Sequence, residues 1–209
     1  MKKFITAAGV LLCIAAGIAY YIYNRISYQP EWYLQDKGAG EYQSTGNVDD
    51  LESKIKQALE NGRSVEIPAS RMVALIAGQL EKKTGFEIQE AIKADRTTID
   101  PNGVEVEMIV DVRLIPPENL SKDAQKVLKK FLELVPEKTR NNLYVKCNMQ
   151  VLKQAGSVSL DPLSSISIGK MKLPVTELVK KTGSKRKFFL ESLSLSDVEF
   201  GKNAIILKP

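Results

Sequence analysis

The sequence predicts an α+β fold: an N-terminal transmembrane helix, then a curved antiparallel sheet wrapped against two or three helices. Three observations predict it. Phe4 to Tyr23 is a run without a charged residue. Two later segments alternate apolar and polar residues at period two, which marks strands with one buried and one solvated face. Such alternation is antiparallel behaviour, because parallel strands are buried on both faces and read as continuous apolar runs. Three further segments repeat apolar residues at spacings of three and four, the signature of amphipathic helices. Few helices among long strands argue for α+β.

The N-terminus reads MKK, then FITAAGVLLCIAAGIAYYIY, then NR. At 1.5 Å per residue, about 20 residues cover roughly 30 Å, the thickness of a bilayer core. Tyr20, Tyr21 and Tyr23 fall at one end, where an aromatic belt belongs, and Lys2 and Lys3 favour a cytoplasmic start. The main domain is then expected outside the cytoplasm. A cleaved signal peptide is the competing reading, with Gly17-Ile18-Ala19 as its end, but the apolar run continues past that point. A lipoprotein signal wants a small residue before its cysteine, and Leu12 precedes Cys13.

Three units are expected: an anchor over residues 1–25, a linker over 26–47 and a single extracytoplasmic domain over 48–209. The linker stretch is polar and glycine-bearing and shows no sustained period. As a flexible chain it would reach roughly 25 Å. Trp32 and Tyr33 fit either the headgroup layer or packing on the domain.

Within the domain, Asp49 caps a helix carrying Leu51, Ile55, Ala58 and Leu59, and Asn61-Gly62 ends it. Val65 to Ile67 is a short strand. Ser70 caps a second helix, with Met72, Val73, Ile76 and Leu80 on one face. A hairpin follows. Its first strand aligns Phe86, Ile88, Ile92 and Ala94. Its turn is Asp100-Pro101-Asn102-Gly103, where Asn-Gly tolerates positive φ. The return strand alternates from Val104 to Leu114, with Ile109 alone out of type, and Pro116-Pro117 stops it. Ser121 caps a third helix through Ala124, Val127, Leu128, Phe131 and Leu134, closed by Pro136. Leu143 to Val151 is the second alternating strand. Short strands follow at Val158 to Leu160 and Ile166 to Ile168. Pro174 opens a short helix with Val175, Leu178 and Val179. Leu193 and Leu195 belong to a late strand, and Ala204 to Leu207 form the last.

Composition excludes more than it selects. The chain of 209 residues is 44% apolar and 26% charged, which fits a globular domain. A net charge of +5 without a recognition motif gives no case for nucleic acid. With no histidine, Ser-His-Asp and Cys-His catalysis and histidine-ligated zinc are absent. Two cysteines, Cys13 and Cys147, cannot form a four-thiolate zinc site, and no disulfide framework is expected. No cofactor is expected.

The stretch ISIGKMKLPVTELV, from Ile166 to Val179, resembles the motif near the end of the YpmS-like proteins. The order of elements is similar too: anchor, helix after a V-E-I-P-A-S strand, long hairpin, helix, strand, then the Gly-Lys and Leu-Pro turn. The resemblance covers about the last two-thirds of the chain. It implies a small bacterial protein with one N-terminal membrane segment, an extracytoplasmic domain and no settled activity. The layout is also similar to tubular lipid-binding folds, in which a curved sheet encloses an apolar groove. A likeness of fold carries no function and no binding residue.

Three sets of residues are candidates for function. The apolar strand faces, Val104, Val106, Met108, Val110 and Val112 with Leu143, Val145, Cys147, Met149 and Val151, either line a groove for an acyl chain or form an ordinary core under the helices. Periodicity does not separate the two. The cluster Lys180, Lys181, Lys185, Arg186, Lys187, Phe188 and Phe189 either meets anionic headgroups or an anionic partner, or is a helix end and a solvated loop. Glu105, Glu107 and Asp111 lie on the polar strand face, where they either bind a cation or do acid–base work, or keep that face wet. The S-x-x-K spacings at Ser167 to Lys170 and Ser184 to Lys187 lack the partner motifs of a serine nucleophile. The expected function is therefore non-enzymatic: a membrane-anchored domain that binds a lipid or other apolar ligand in the bacterial envelope. The alternative is a membrane-anchored module that docks on another envelope protein.

Overall fold

A computed structural model of the chain describes residues 20–35, 48–84, 88–119, 122–154, 157–174 and 195–209. The chain is α+β, and every strand pair among the described residues is antiparallel. Helical residues 20–26 (α1) and Glu31–Gln35 (α2) precede α3 (Val48–Glu60), β1 (Val65–Pro68) and α4 (Met72–Thr84). The hairpin strands are β2 (Ile92–Asp100) and β3 (Gly103–Val110). Helices α5 (Lys122–Leu134) and α6 (Glu137–Arg140) lead to β4 (Leu143–Gln154), β5 (Ser157–Leu160), β6 (Ser165–Ile168) and β7 (Met171–Pro174). The chain closes with β8 (Asp197–Phe200) and β9 (Ala204–Lys208).

Where one sheet was expected, the described strands form two. One has the order β2-β3-β4-β6-β7, with β5 also on β4, and the other has the order β1-β9-β8. Pairing of β1 with β9 joins distant parts of the chain, which local periodicity cannot announce. A single apolar cluster links helices and both sheets through Ile55, Leu59, Val73, Leu75, Val106, Val198, Ile205 and Leu207. Burying each such side chain contributes about 1.5–3 kcal/mol. Helix α3 ends as the Asn61-Gly62 pair predicts. Gly62 has φ +69°, and the amides of Gly62 and Arg63 donate to the carbonyls of Leu59 and Ala58, which satisfies the orphan acceptors of the last turn.

Several local expectations change. Ser70 lies in a 3-10 turn, Ala69–Arg71, rather than at a cap. A β-bulge between Ile92 and Ala94 sends these two residues to opposite faces, since Ile92 pairs Val110 and Ala94 pairs Ile109. Neither Asn102 nor Gly103 has positive φ. Gly103 is needed for room instead, because a Cβ there would stand 3.0 Å from the Gln150 Cα. Strand β3 stops at Val110. Asp111 accepts from the Arg113 amide and starts a 3-10 turn over Val112–Leu114, so Val112 is buried off the strand and Leu114 is exposed. Pro174 ends β7 opposite Ser165, and β7 is the edge of the sheet among the described residues, a place where proline's missing N–H is tolerated. Leu195 is buried just before β8, outside the strand. Leu193, Phe86, Ser121 and the helix after Pro174 lie outside the described residues.

The stretch read as a linker divides in two. Residues 36–47 lie outside the described residues, but 26–35 pack on the sheet. Ile26 is 3% exposed, and Tyr28, Trp32 and Tyr33 cover Ala94, Ile109 and Tyr144. Among the described residues no helix is long and apolar enough to cross a membrane. The span read over Phe4 to Tyr23 lies outside them except for its last residues.

Candidate functional site

The register of β3 and β4 brings the predicted apolar residues onto one face. Val104 pairs Met149, Val106 pairs Cys147, Met108 pairs Val145 and Val110 pairs Leu143. Paired residues project to the same side, so these eight form one patch. Beyond β4, Ile166 and Ile168 pair Cys147 and Val145, and Leu173 and Met171 continue the row on β7. Val151 lies further along β4, opposite Leu160 of β5.

Burial across this face is graded. Val104, Val106, Met108 and Val110 on β3, and Leu143 at the start of β4, are sealed in the core. Val145, Cys147, Met149 and Val151 are half-buried, as are Ile166, Ile168, Met171 and Leu173. The face is thus core on its β3 side and a partly buried apolar strip over β4, β6 and β7, still packed against that core. Burial pushes the Cys147 thiol up to about 11, which leaves it protonated and unreactive at neutral pH.

On the β2 side the same face carries two polar residues that the sequence reading did not single out. The bulge puts Asp95 opposite Met108 and Thr97 opposite Val106. Burial raises the Asp95 carboxyl, and the Thr97 hydroxyl is enclosed without a partner among the described residues. The signal was present as two polar residues in register with an apolar strand. Only knowledge of the bulge assigns them to that face.

The opposite face carries the three carboxylates named from sequence, each held by its own partner. Glu105 pairs Lys146 at 2.6 Å. Glu107 is buried and accepts a short hydrogen bond from the Tyr144 hydroxyl. Burial first, then Glu107, pushes the Tyr144 phenol upward. Asp111 pairs Arg113 at 2.7 Å and Lys93 at 3.5 Å. The arrangement fixes side chains rather than leaving an acid–base pair facing one point. Among the described residues no group of three acidic or thiol side chains could hold a metal ion. Of the S-x-x-K pair Ser167 and Lys170, the lysine ammonium lies 4.4 Å from the centre of the Tyr28 ring. The cluster from Lys180 to Phe189, and Ser184 with it, lies outside the described residues.

The N-terminal segment crosses this second face as a strap. The Lys170 amide donates to the Arg25 carbonyl at 2.7 Å, and the Gly169 amide donates to the Tyr144 carbonyl at 2.8 Å. Gly169 has φ +57°, and a Cβ there would overlap the Arg25 carbonyl oxygen and stand 2.8 Å from the Ile26 Cα. The Gly-Lys break is therefore the seat of the strap. Next, Ser27 and Thr139 share a hydroxyl hydrogen bond at 3.0 Å, and the Tyr28 ring meets the Tyr144 ring edge-on at 5.6 Å. The Tyr33 hydroxyl then donates to the Asn142 side-chain carbonyl at 3.2 Å, an oxygen shared with Lys93.

Comparison with protein-family models, with curated protein sequences and with solved structures finds no match for this chain. The chemistry of its own residues is what bears on its function.

Proposed function

We propose that this chain is a non-enzymatic, membrane-anchored extracytoplasmic domain that holds a lipid or other apolar ligand. The observation that carries the reading is the graded face. An apolar surface continuous with the core runs out onto Val145, Cys147, Met149 and Val151, where the side chains are only partly buried. In this reading the larger sheet is a curved wall, the helices cover its β3 side, and the strip over β4, β6 and β7 is where the ligand lies. Methionines at 149 and 171 suit such a wall, because their flexible thioethers adapt to an irregular partner. The absence of histidine and the separate pairing of Glu105, Glu107 and Asp111 support binding over catalysis. Phe4 to Tyr23 supplies the anchor, and the resemblance to YpmS-like proteins agrees with that placement.

Mass spectrometry of the purified chain, extracted in mild detergent, tests the reading. A stoichiometric co-purified lipid is the expected result. A ligand-free protein that takes up no added lipid contradicts it. Docking on another envelope protein through the outer edge of β7 is then the reading left standing.

A further inference from the structure

We propose that the end of the larger sheet at the β6–β7 turn meets the bilayer surface, with Arg25, Lys170 and Lys172 on anionic headgroups. The inference rests on reading Phe4 to Tyr23 as a retained span. The strap then leaves almost no slack between bilayer and domain. Helix α1 runs through residue 26, and its Arg25 carbonyl is already bonded to Lys170. From Tyr23 to Ile26 the helix rises only about 5 Å. The headgroup layer on each side of the hydrocarbon is about 5–8 Å deep. The Gly169-Lys170 turn therefore falls within or beside that layer.

The side chains there suit it. Tyr20, Tyr21 and Tyr23 are 68%, 60% and 44% exposed, unlike the buried tyrosine of the strap's seat, Tyr144. Amphipathic rings of this kind sit at the headgroup level. Arg25 stays beside them, its guanidinium 5.3 Å from the Tyr21 ring centre. Lys170 and Lys172 are exposed on the turn and on the edge strand β7. Three cations beside an aromatic girdle complement an anionic leaflet. The Asp100–Gly103 hairpin marks the other end of the sheet. Gly103 pairs Gln150, six residues along β4 from Tyr144, or about 20 Å away. The same fixed register sets the apolar strip, from Val145 toward Val151, leading away from the membrane surface.

The test uses the full chain in vesicles of phosphatidylcholine, with or without phosphatidylglycerol. Cys13→Ser and Cys147→Ala remove the native thiols, and a fluorophore is attached at Lys172→Cys or at Asn102→Cys. Headgroup spin-labelled lipid should quench position 172 severalfold more than position 102. Phosphatidylglycerol should strengthen that quenching, and Lys170→Gln in the Lys172→Cys chain should weaken the gain. Flotation with the vesicles reads the anchor separately. A chain that floats but shows equal quenching at both positions, or stronger quenching at 102, overturns the orientation. Quenching at 172 that ignores phosphatidylglycerol overturns the anionic contact. A chain that does not float overturns the anchor and the orientation together.

Discussion

The Lys170 amide donates to the Arg25 carbonyl at 2.7 Å, and that bond ties the end of the N-terminal helix to a turn late in the chain. It exists because residue 169 has no side chain. At φ +57° a Cβ is strained in any case, and here it would also strike the Arg25 carbonyl oxygen.

Gly169→Ala and Gly62→Ala should therefore differ, although both glycines have positive φ. Gly62 has open space around it, so alanine there should cost only the backbone strain, about 1–2 kcal/mol. Gly169→Ala should cost more and should lift the strap. Trp32 is the only tryptophan, so its emission reports the strap directly. Emission before urea is added should be red-shifted in Gly169→Ala and unchanged in Gly62→Ala, and the urea midpoint should fall further in Gly169→Ala. Equal midpoints and unchanged emission would remove the strap from the account.

A chain that begins at Val48, where the sequence places the domain start, should be far less stable than one that begins at Tyr20. It would uncover Ile109 and Tyr144, which are 0% and 4% exposed under the strap. Exposing a fully buried apolar side chain costs roughly 1.5–3 kcal/mol. Thermal unfolding followed by circular dichroism checks this. Matching midpoints for the two chains would show that residues 20–35 are dispensable.

The alternation of Val104 to Val110 and of Leu143 to Val151 made both long strands, and the shared apolar face, readable in advance. Each strand has one apolar side, and period two records it. The strap was readable only as one of two options for Trp32 and Tyr33, because Ile26, Tyr28, Trp32 and Tyr33 follow no period. An irregular segment that crosses strands is shaped by its seat rather than by its own repeat. Its trace lay in the partner: Ile109 is apolar on a polar face because the strap covers it. The bulge at Lys93 was equally silent, yet it decides that Asp95 and Thr97 share a face with Met108 and Val106. The end of β3 was misplaced because Val112 and Leu114 extend the alternation, while the Asp111 cap turns the backbone.

Asp111 gives a pH signature. Its side-chain hydrogen bond from Arg113 chiefly holds the carboxyl below its ordinary value of 3.8, at about 2. A depressed folded value means that the contribution is complete above the ordinary value and is lost as pH falls through about 2. The Arg113 side chain is more than half exposed, so solvent screening keeps the effect small. Asp111→Asn should flatten the wild-type loss of stability across that acid window and leave its shape elsewhere unchanged. Denaturant midpoints against pH read the difference, and parallel acid limbs would show that the pair does not matter.

The partly buried strip separates two substitutions that look alike in sequence. Met108 is sealed in the core, so Met108→Trp should overpack it and cost about 1–3 kcal/mol. Met149 is half-buried on the strip, so Met149→Trp should fold normally and fill the ligand's place. Titration of the delipidated protein with a fluorescent long-chain fatty acid puts the proposed function to its most direct test. Saturable binding at about one site per chain is predicted for the wild type, with loss in Met149→Trp and retention in Lys172→Glu. No saturable binding to the wild type, or equal binding to Met149→Trp, would contradict the apolar strip as a ligand site.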